Sequence, residues 1–495
     1  MTGTWLLLAL GGPLVAAAAA IPFMSRHRVQ VAAGLAGAVV QTLAAVMLLR
    51  QVNTHGTLVL QAGDWPAPFG ISLVADQFAA LVLLAGAVAG LASLAFAAMH
   101  VEAERSGHGY FVFTNVLLAA VAAAFLTGDL FNLYVAFEVM LIASFVLLSV
   151  GHAPRQARGA AVYVTLNLIA SATFLVGAGL AYALAGTLNF ADLSERLALV
   201  ENRALVLALA LLLLGAFITK SAAFPFAAWL PASYHTPGTD VSALFSGLLT
   251  KVGVYAVART VTLLFPGDEA VRTAVLVIAG LTMVVGVLGA LAQYELRRLL
   301  SFHISSQVGY MLMGIGLTTP LALAGATFYM MQHMITKTAL FLVAGFIERG
   351  AGTGQLRRLG GLYRQDAPTA AVFLVAAFAL AGIPPFAGFI AKFTLARAGV
   401  ESEAWLLVGV SLAVSLLTLL SMVKIWTEAF WKVAPEGETW QQPARRFLLP
   451  GAALALVSAG MGIVGAPLVE MAVEAGAAIA SPAAYVEAVL GSRAP

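Results

Sequence analysis

The stretch LGAFITKSAAFPFAAWLPASYHTPGTDVSALFSGLLTKVGVYAVAR, residues 214–259, sets two lysines inside apolar segments on either side of a proline-interrupted turn. An ammonium near the middle of a bilayer-spanning helix costs roughly 2.5 to 3.5 kcal/mol on insertion scales, so Lys220 and Lys251 must face a protein interior, a partner or water. Pro225 follows Lys220 by five residues, lacks a backbone donor and breaks the helix. Non-helical backbone at membrane depth survives only where it is buried in protein or lines a cavity, which places a polar interior beside the lysine. A harmless kink with a snorkelling lysine fits less well, because each lysine has at least one full turn of apolar residues on both sides.

Outward from this stretch, 495 residues with 61% hydrophobic and 10% charged composition read as a polytopic all-α membrane protein. Apolar runs long enough to span fall near 4–22, 29–49, 71–98, 110–127, 130–150, 159–185, 204–230, 240–264, 271–292, 298–318, 321–347, 368–396, 404–428 and 446–469, fourteen in all, with a short interfacial piece after Pro467. The N-terminal run lacks a basic leader and reads as the first span. Arginine and lysine concentrate in the loops after odd-numbered helices, which puts both termini on the outer side; the outer loops are rich in acid instead, Asp129 and Asp268 among them. A net charge of +3 with scattered basic residues argues against nucleic acid as a partner. Cysteine is absent, which removes disulfides, thiolate-held clusters and Cys-type zinc sites, and the chain has no Walker loop, dinucleotide fingerprint or HExxH. No cofactor and no metal is expected.

A faint internal repeat runs through the chain. FPFAAWL at 224–230 resembles PPFAGFI at 384–390, and VAFEV at 135–139 aligns with LSFHI at 300–304, which puts His303 at the place of Glu138. The shift covers five helices, and an odd number reverses the second copy, the inverted-repeat plan of many secondary transporters. The divisions expected are helices 1–3 over 1–109, a first repeat of helices 4–8 over 110–264, an inverted second repeat of helices 9–13 over 265–430, and helix 14 with a tail over 431–495. Broken helices 7 and 12 carry Pro225 and the Pro384–Pro385 pair.

Glu138 is the only carboxylate deep in a span, and it needs a cation or a proton. Lys220, Lys251, Lys337 and Lys392 lie in the seventh, eighth, eleventh and twelfth spans; a buried ammonium can release and retake its proton near neutral pH as a solvated one cannot. His333 precedes Lys337 by four residues, so the two share a helical face. Ser221, Thr250, Ser305, Ser306, Gln307, Gln332 and Thr336 are polar neighbours able to hold water or simply to glue helices. Arg259 and Lys424, near helix ends, read as snorkelling anchors, while His235 and Asp240 in the loop after the Pro225 break are candidates to admit protons. The order Glu, Lys, Lys, His, Lys, Lys is a lateral proton relay and not a ligand cage. The bland alternative is a set of structural ion pairs and hydrogen-bonded histidines.

At these residues the sequence resembles the antiporter-like membrane subunits shared by respiratory complex I, membrane-bound hydrogenases and Mrp-type multisubunit sodium/proton antiporters, over essentially the whole chain. The Glu138 span, Lys220 before the broken helix and TPGTDVSALFSGLLTKVGVYAVAR at 236–259 carry the resemblance, and TGDLFNLYVAFEVMLIASFVLLSVG at 127–151 is similar to the D-type subunits of Mrp antiporters. The resemblance implies fourteen helices and roles for Glu138 and Lys220 as a coupled pair, Lys251 as central relay, His333 and Lys337 as bridge and Lys392 near the outer exit. It also implies partner subunits in a hetero-oligomer, exchange of protons for sodium or another monovalent cation, a bacterial plasma membrane and no enzymatic turnover. Rival readings are a proton-pumping subunit of a redox complex and a scaffold subunit that moves nothing.

Overall fold

A computed structural model describes residues 2–151 and 154–491. The chain runs through α1 (Thr2–Ala20) and α2 (His27–His55) to a two-stranded antiparallel hairpin, β1 (Leu58–Gln61) and β2 (Ser72–Ala75), and then α3 (Gln77–Ala97). The expected span at 71–98 therefore begins late: its first residues pair with β1, and the Asp76 side chain caps α3 by accepting from Ala79 N at 2.9 Å. A short α4 (Ala103–Gly107) leads to α5 (Tyr110–Leu126), α6 (Leu130–Ser149), α7 (Pro154–Ala185), the short amphipathic α8 (Phe190–Leu199) and α9 (Arg203–Lys220). Beyond the first break come α10 (Trp229–Ser233), α11 (Thr239–Arg259), α12 (Glu269–Leu291), α13 (Leu296–Leu317) and α14 (Pro320–Ala351). The remainder is α15 (Leu362–Gln365), α16 (Ala367–Ala381), the second break, α17 (Ala387–Glu401), α18 (Trp405–Ile425), α19 (Leu449–Ile463), α20 (Ala466–Ala480) and α21 (Ala483–Leu490).

Among the described residues ten helices are long and apolar enough to cross a bilayer, or eleven if α19 and α20 form one bent span. The expected last span, 446–469, instead turns by 76° where α19 meets α20. Gly465 allows the turn, since a Cβ there would lie on Met461 O, and Pro467 starts the new helix in the position where a missing N–H costs nothing. α20 then crosses the start of α14, where Gly476 brings the backbones of Pro320 and Ala324 too close for any side chain. α11 and α14 are the axial elements, buried throughout the windows that would span a membrane, with α3, α9, α13, α16, α17, α19 and α20 packed against one or both.

Helix starts are written into the sequence as caps. Asp76, Asp129, Asn189, Asn202, Asp268, Glu295, Thr319 and Asp366 each accept from a backbone N–H three residues on, a contact worth about 1 kcal/mol. Six of these eight lie on the face that carries the hairpin, so part of the acidic bias read there serves helix capping.

Two regions of the chain carry the same series of landmarks. Asp129 and Glu295, 166 positions apart, cap α6 and α13 and form bridges to Asn189 and Gln355, also 166 apart. α7 and α14 are both 32 residues long, and α11 and α18 both end in a π-helical turn, Thr260–Leu264 and Trp426–Trp431. In this register Ile304 matches Glu138, and His303 matches Phe137. Alignment by sequence alone is therefore one position out at His303.

Candidate functional site

Both proline interruptions open a helix where the expectation puts them. α9 ends at Lys220, and the chain turns through Ser221–Ala228 before α10; α16 ends at Ala381 and turns through Gly382–Phe386 before α17. The backbone groups released are satisfied locally, as membrane depth requires. Phe224 N donates to Thr282 Oγ1 at 2.9 Å, and Trp229 Nε1 donates to Thr219 O at 2.9 Å. At the second break Ala381 O accepts from Lys392 Nζ at 2.9 Å and Ser415 Oγ at 3.1 Å. Glycines let neighbouring helices seat on the breaks: a Cβ on Gly253 of α11 would lie 2.6 Å from Ser221 N, and one on Gly462 of α19 would lie 2.3 Å from Pro385 O.

Lys220 sits at the end of α9 with its ammonium buried. Its Nζ donates to Ser171 Oγ of α7 at 2.9 Å and stands 4.7 Å from the centroid of the Phe137 ring. Glu138 is the next residue on α6, within electrostatic reach of Lys220 yet not in contact with it, and its buried Oε1 has no hydrogen-bond partner among the described residues. The expected pair is thus drawn apart, with Ser171 and Phe137 holding the lysine.

Lys251 is fully buried at the middle of α11 and donates to Ser246 O of its own helix. Thr250 Oγ1 beside it is unpartnered among the described residues. On α14, Lys337 Nζ donates to Leu300 O of α13 at 3.0 Å, and both ring nitrogens of the fully buried His333 lack partners among the described residues. His333 lies within electrostatic reach of Lys251, Lys337, His303 and Lys392 together. His303 Nε2 meets Ser421 Oγ at 2.7 Å, and its Nδ1 is unpartnered among the described residues.

Lys392 also reaches Ser415 Oγ at 3.0 Å and lies 5.0 Å from the Tyr310 ring centroid. Tyr310 stacks on Tyr329 at 5.4 Å, and Tyr329 lies 6.3 Å from the His333 ring and donates to Gln307. Sequence reasoning missed Ser171, Tyr310, Tyr329, Ser415 and Ser421. Helical spacing links Tyr329 to His333 at i, i+4 and Tyr310 to Gln307 at i, i+3; Ser171, Ser415 and Ser421 lie on other helices than the side chains they meet and left no local signal.

Two expectations outside the centre change. Asp240 is locked, not open: its fully buried carboxylate takes Arg105 Nη2 at 2.9 Å and His100 Nε2 at 3.3 Å. Nearby, Arg297 grips Glu348 at 2.9 Å and Pro237 O at 2.6 Å, which ties the start of α11 to α13 and α14. His235, in the loop before α11, is half-buried; burial and then the Arg298 charge lower its pKa to about 4, so it is neutral at physiological pH. Arg259 is no surface anchor, since it is buried against Asp76 at 2.7 Å. Lys424 is partly exposed and caps the end of α12 through Leu291 O and Gln293 O. No group of three or more His, Asp or Glu among the described residues is arranged to hold a metal.

A helical membrane bundle with two interrupted helices and a buried string of lysines and histidines defines the class of antiporter-like membrane proteins. The chain belongs to the NADH:quinone oxidoreductase/Mrp antiporter transmembrane family, which residues 127–418 match. Within it the similarity is to D-type chains: the sequence is 42% identical to the D-type subunit of the Na(+)/H(+) antiporter of Alkalihalophilus pseudofirmus, over 97% of both chains. A chain of the Mrp complex from Dietzia sp. DQ12-45-1b superposes with a TM-score of 0.93 at 32% identity, covering 98% of this chain and 99% of that one. A chain of the membrane-bound sulfane sulfur reductase, an archaeal respiratory membrane complex, superposes with a TM-score of 0.91 at 26% identity, with the same coverage.

Proposed function

We propose that the chain is the D-type, proton-translocating subunit of an Mrp-type monovalent cation/proton antiporter, working beside other antiporter subunits in a bacterial plasma membrane. Sodium is the proposed exchanged cation. Fourteen spans with two inverted five-helix repeats, divided at 110, 265 and 431, and both termini on the outer side complete the reading; the paired caps, bridges, 32-residue helices and π turns support the repeats. The likeness to D-type antiporter chains favours an antiporter over a redox-driven pump, whose membrane chains have the same fold.

The observation that carries the relay is the run of buried ionisable groups across the centre with nitrogens and oxygens left, among the described residues, without partners at Glu138, Thr250, His303 and His333. Buried polar atoms of this kind are ordinarily satisfied by ordered water, and water between them supplies the hops that side-chain contacts do not. Glu138 and Lys220 form the coupling centre, apart in the state described here. When Glu138 approaches, its charge holds the Lys220 proton; when it withdraws, that proton is released towards Lys251. His333 and Lys337 bridge to Lys392 at the second break, His303 lies beside them, and His235 stands at the mouth before α11. Glu138→Ala in the assembled complex is expected to abolish sodium-dependent proton movement. An assembled Glu138→Ala complex that exchanges at the normal rate sinks the coupling role, and the scaffold reading replaces it if yield alone falls.

A further inference from the structure

The relay makes no use of the buried ion pair between Arg259 and Asp76. Lys251, Tyr255 and Arg259 follow each other at four-residue spacing and share one side of α11. Arg259 lies about 12 Å from Lys251 along the helix axis, towards the hairpin face. Its guanidinium donates to Asp76 Oδ1 at 2.7 Å and, through Nε and Nη2, to Tyr255 Oη at 3.0 and 2.9 Å. Tyr255 in turn donates its hydroxyl proton to Phe125 O at 2.7 Å. The rings of Phe78, Tyr255 and Tyr485 surround the guanidinium at 5.1–5.4 Å, Tyr485 arriving from α21. Both charged side chains are only 7% exposed.

The direction of these hydrogen bonds decides what the cluster can do. On this side of α11 the next hydroxyl beyond Lys251 is Tyr255 Oη, whose acceptor side is occupied by two Arg259 N–H groups. The hydroxyl proton is committed to a carbonyl, and arginine accepts nothing and keeps its charge. A fixed guanidinium in a narrow path also repels an excess proton, as in pores that pass water and exclude protons.

We propose that Asp76, Arg259 and Tyr255 form a proton seal between Lys251 and the hairpin face, which commits the proton to the lateral route through His333 and Lys337. Asp76 holds the cation in place and Tyr485 covers it. The seal rests on the relay reading, and the experiment separates the two.

The whole complex is reconstituted in sodium-free proteoliposomes with assembly checked by native gel, and the passive decay of an imposed pH gradient is followed. Asp76→Asn with Arg259→Gln removes both charges without stranding either and is expected to speed decay several-fold, because the cation and its N–H groups no longer stand on the acceptor side of Tyr255. Tyr255→Phe keeps the cation and is expected to stay within about twofold of wild type. Adding Lys251→Ala to the double variant is expected to return decay to the wild-type rate. Unchanged decay in the assembled double variant overturns the seal, as does a leak that survives Lys251→Ala, which marks a packing defect. If the double variant fails to assemble, Asp76→Asn with Arg259→Met replaces the pair by a less polar one and is read by the same criteria. Lys251→Ala alone, assayed for sodium-dependent exchange, tests the relay itself: normal exchange there removes the relay whatever the leak does.

Discussion

Ser171→Ala is the sharpest perturbation of the proposed coupling centre, because it takes one oxygen from Lys220 and little else. Ser171 is buried on α7, and its Oγ is the hydrogen-bond acceptor of the Lys220 ammonium at 2.9 Å. Alanine keeps the Cβ, has a higher helix propensity than serine and leaves a gap the size of one hydroxyl. Among the described residues the ammonium would retain the face of Phe137 at 4.7 Å, an interaction worth about 0.5–2 kcal/mol, and the distant charge of Glu138. A hydrogen bond to a charged group contributes about 1.5–3 kcal/mol. If that bond holds Lys220 where the proton is handed on, its loss slows exchange by roughly ten- to 150-fold, at about 1.4 kcal/mol per tenfold. The assay is sodium-dependent proton movement, followed with a pH-sensitive dye in everted vesicles of an antiporter-deficient host expressing the complete complex. A Ser171→Ala complex that assembles and exchanges at the wild-type rate refutes the assignment of Ser171 as the group that holds Lys220.

Two further outcomes follow from the geometry. Gly253→Val would drive a Cβ to 2.6 Å from Ser221 N and 2.9 Å from Lys220 C, both backbone atoms; overpacking costs about 1–3 kcal/mol, so lower thermal stability together with impaired exchange is expected from melting and vesicle assays. His235 has a pKa lowered from 6.5 to about 4, first by burial, so the unfolded chain binds the extra proton at higher pH than the folded one. Its contribution to stability is therefore full above about pH 6.5 and is lost as pH falls towards about 4; His235→Gln is expected to flatten melting temperature against pH across that window.

The architecture was legible wherever one residue type has one physical meaning at membrane depth. Long apolar runs mark spans, Pro225 and Pro384–Pro385 mark the interruptions, and a lysine with apolar neighbours on both sides marks the interior. The bend at Gly465 and the pairing of β2 were hidden inside apolar runs, since hydropathy does not report direction. Register was off by one at His303 because short matches in Ala- and Leu-rich sequence do not fix a single-residue offset. The caps Asp129 and Glu295 and their bridges do, but only once their partners at Asn189 and Gln355 are known. In the site, the cations were legible and their acceptors were not. Ser171 is 49 residues from Lys220, and a serine in a membrane helix looks the same whether it glues helices or holds an ammonium. Arg259 looked like an anchor because it ends a helix, and Asp76, 183 residues away, lies at the start of another.

The account stands or falls on whether protons pass through this chain. The most direct measurement is sodium-dependent proton movement in everted vesicles with Lys220→Ala beside wild type, both expressed with the complete set of antiporter subunits and matched for assembly on a native gel. The account expects wild type to respond to added sodium and the assembled Lys220→Ala complex to stay silent. A Lys220→Ala complex that assembles and exchanges normally contradicts it, and places the proton path in one of the partner chains.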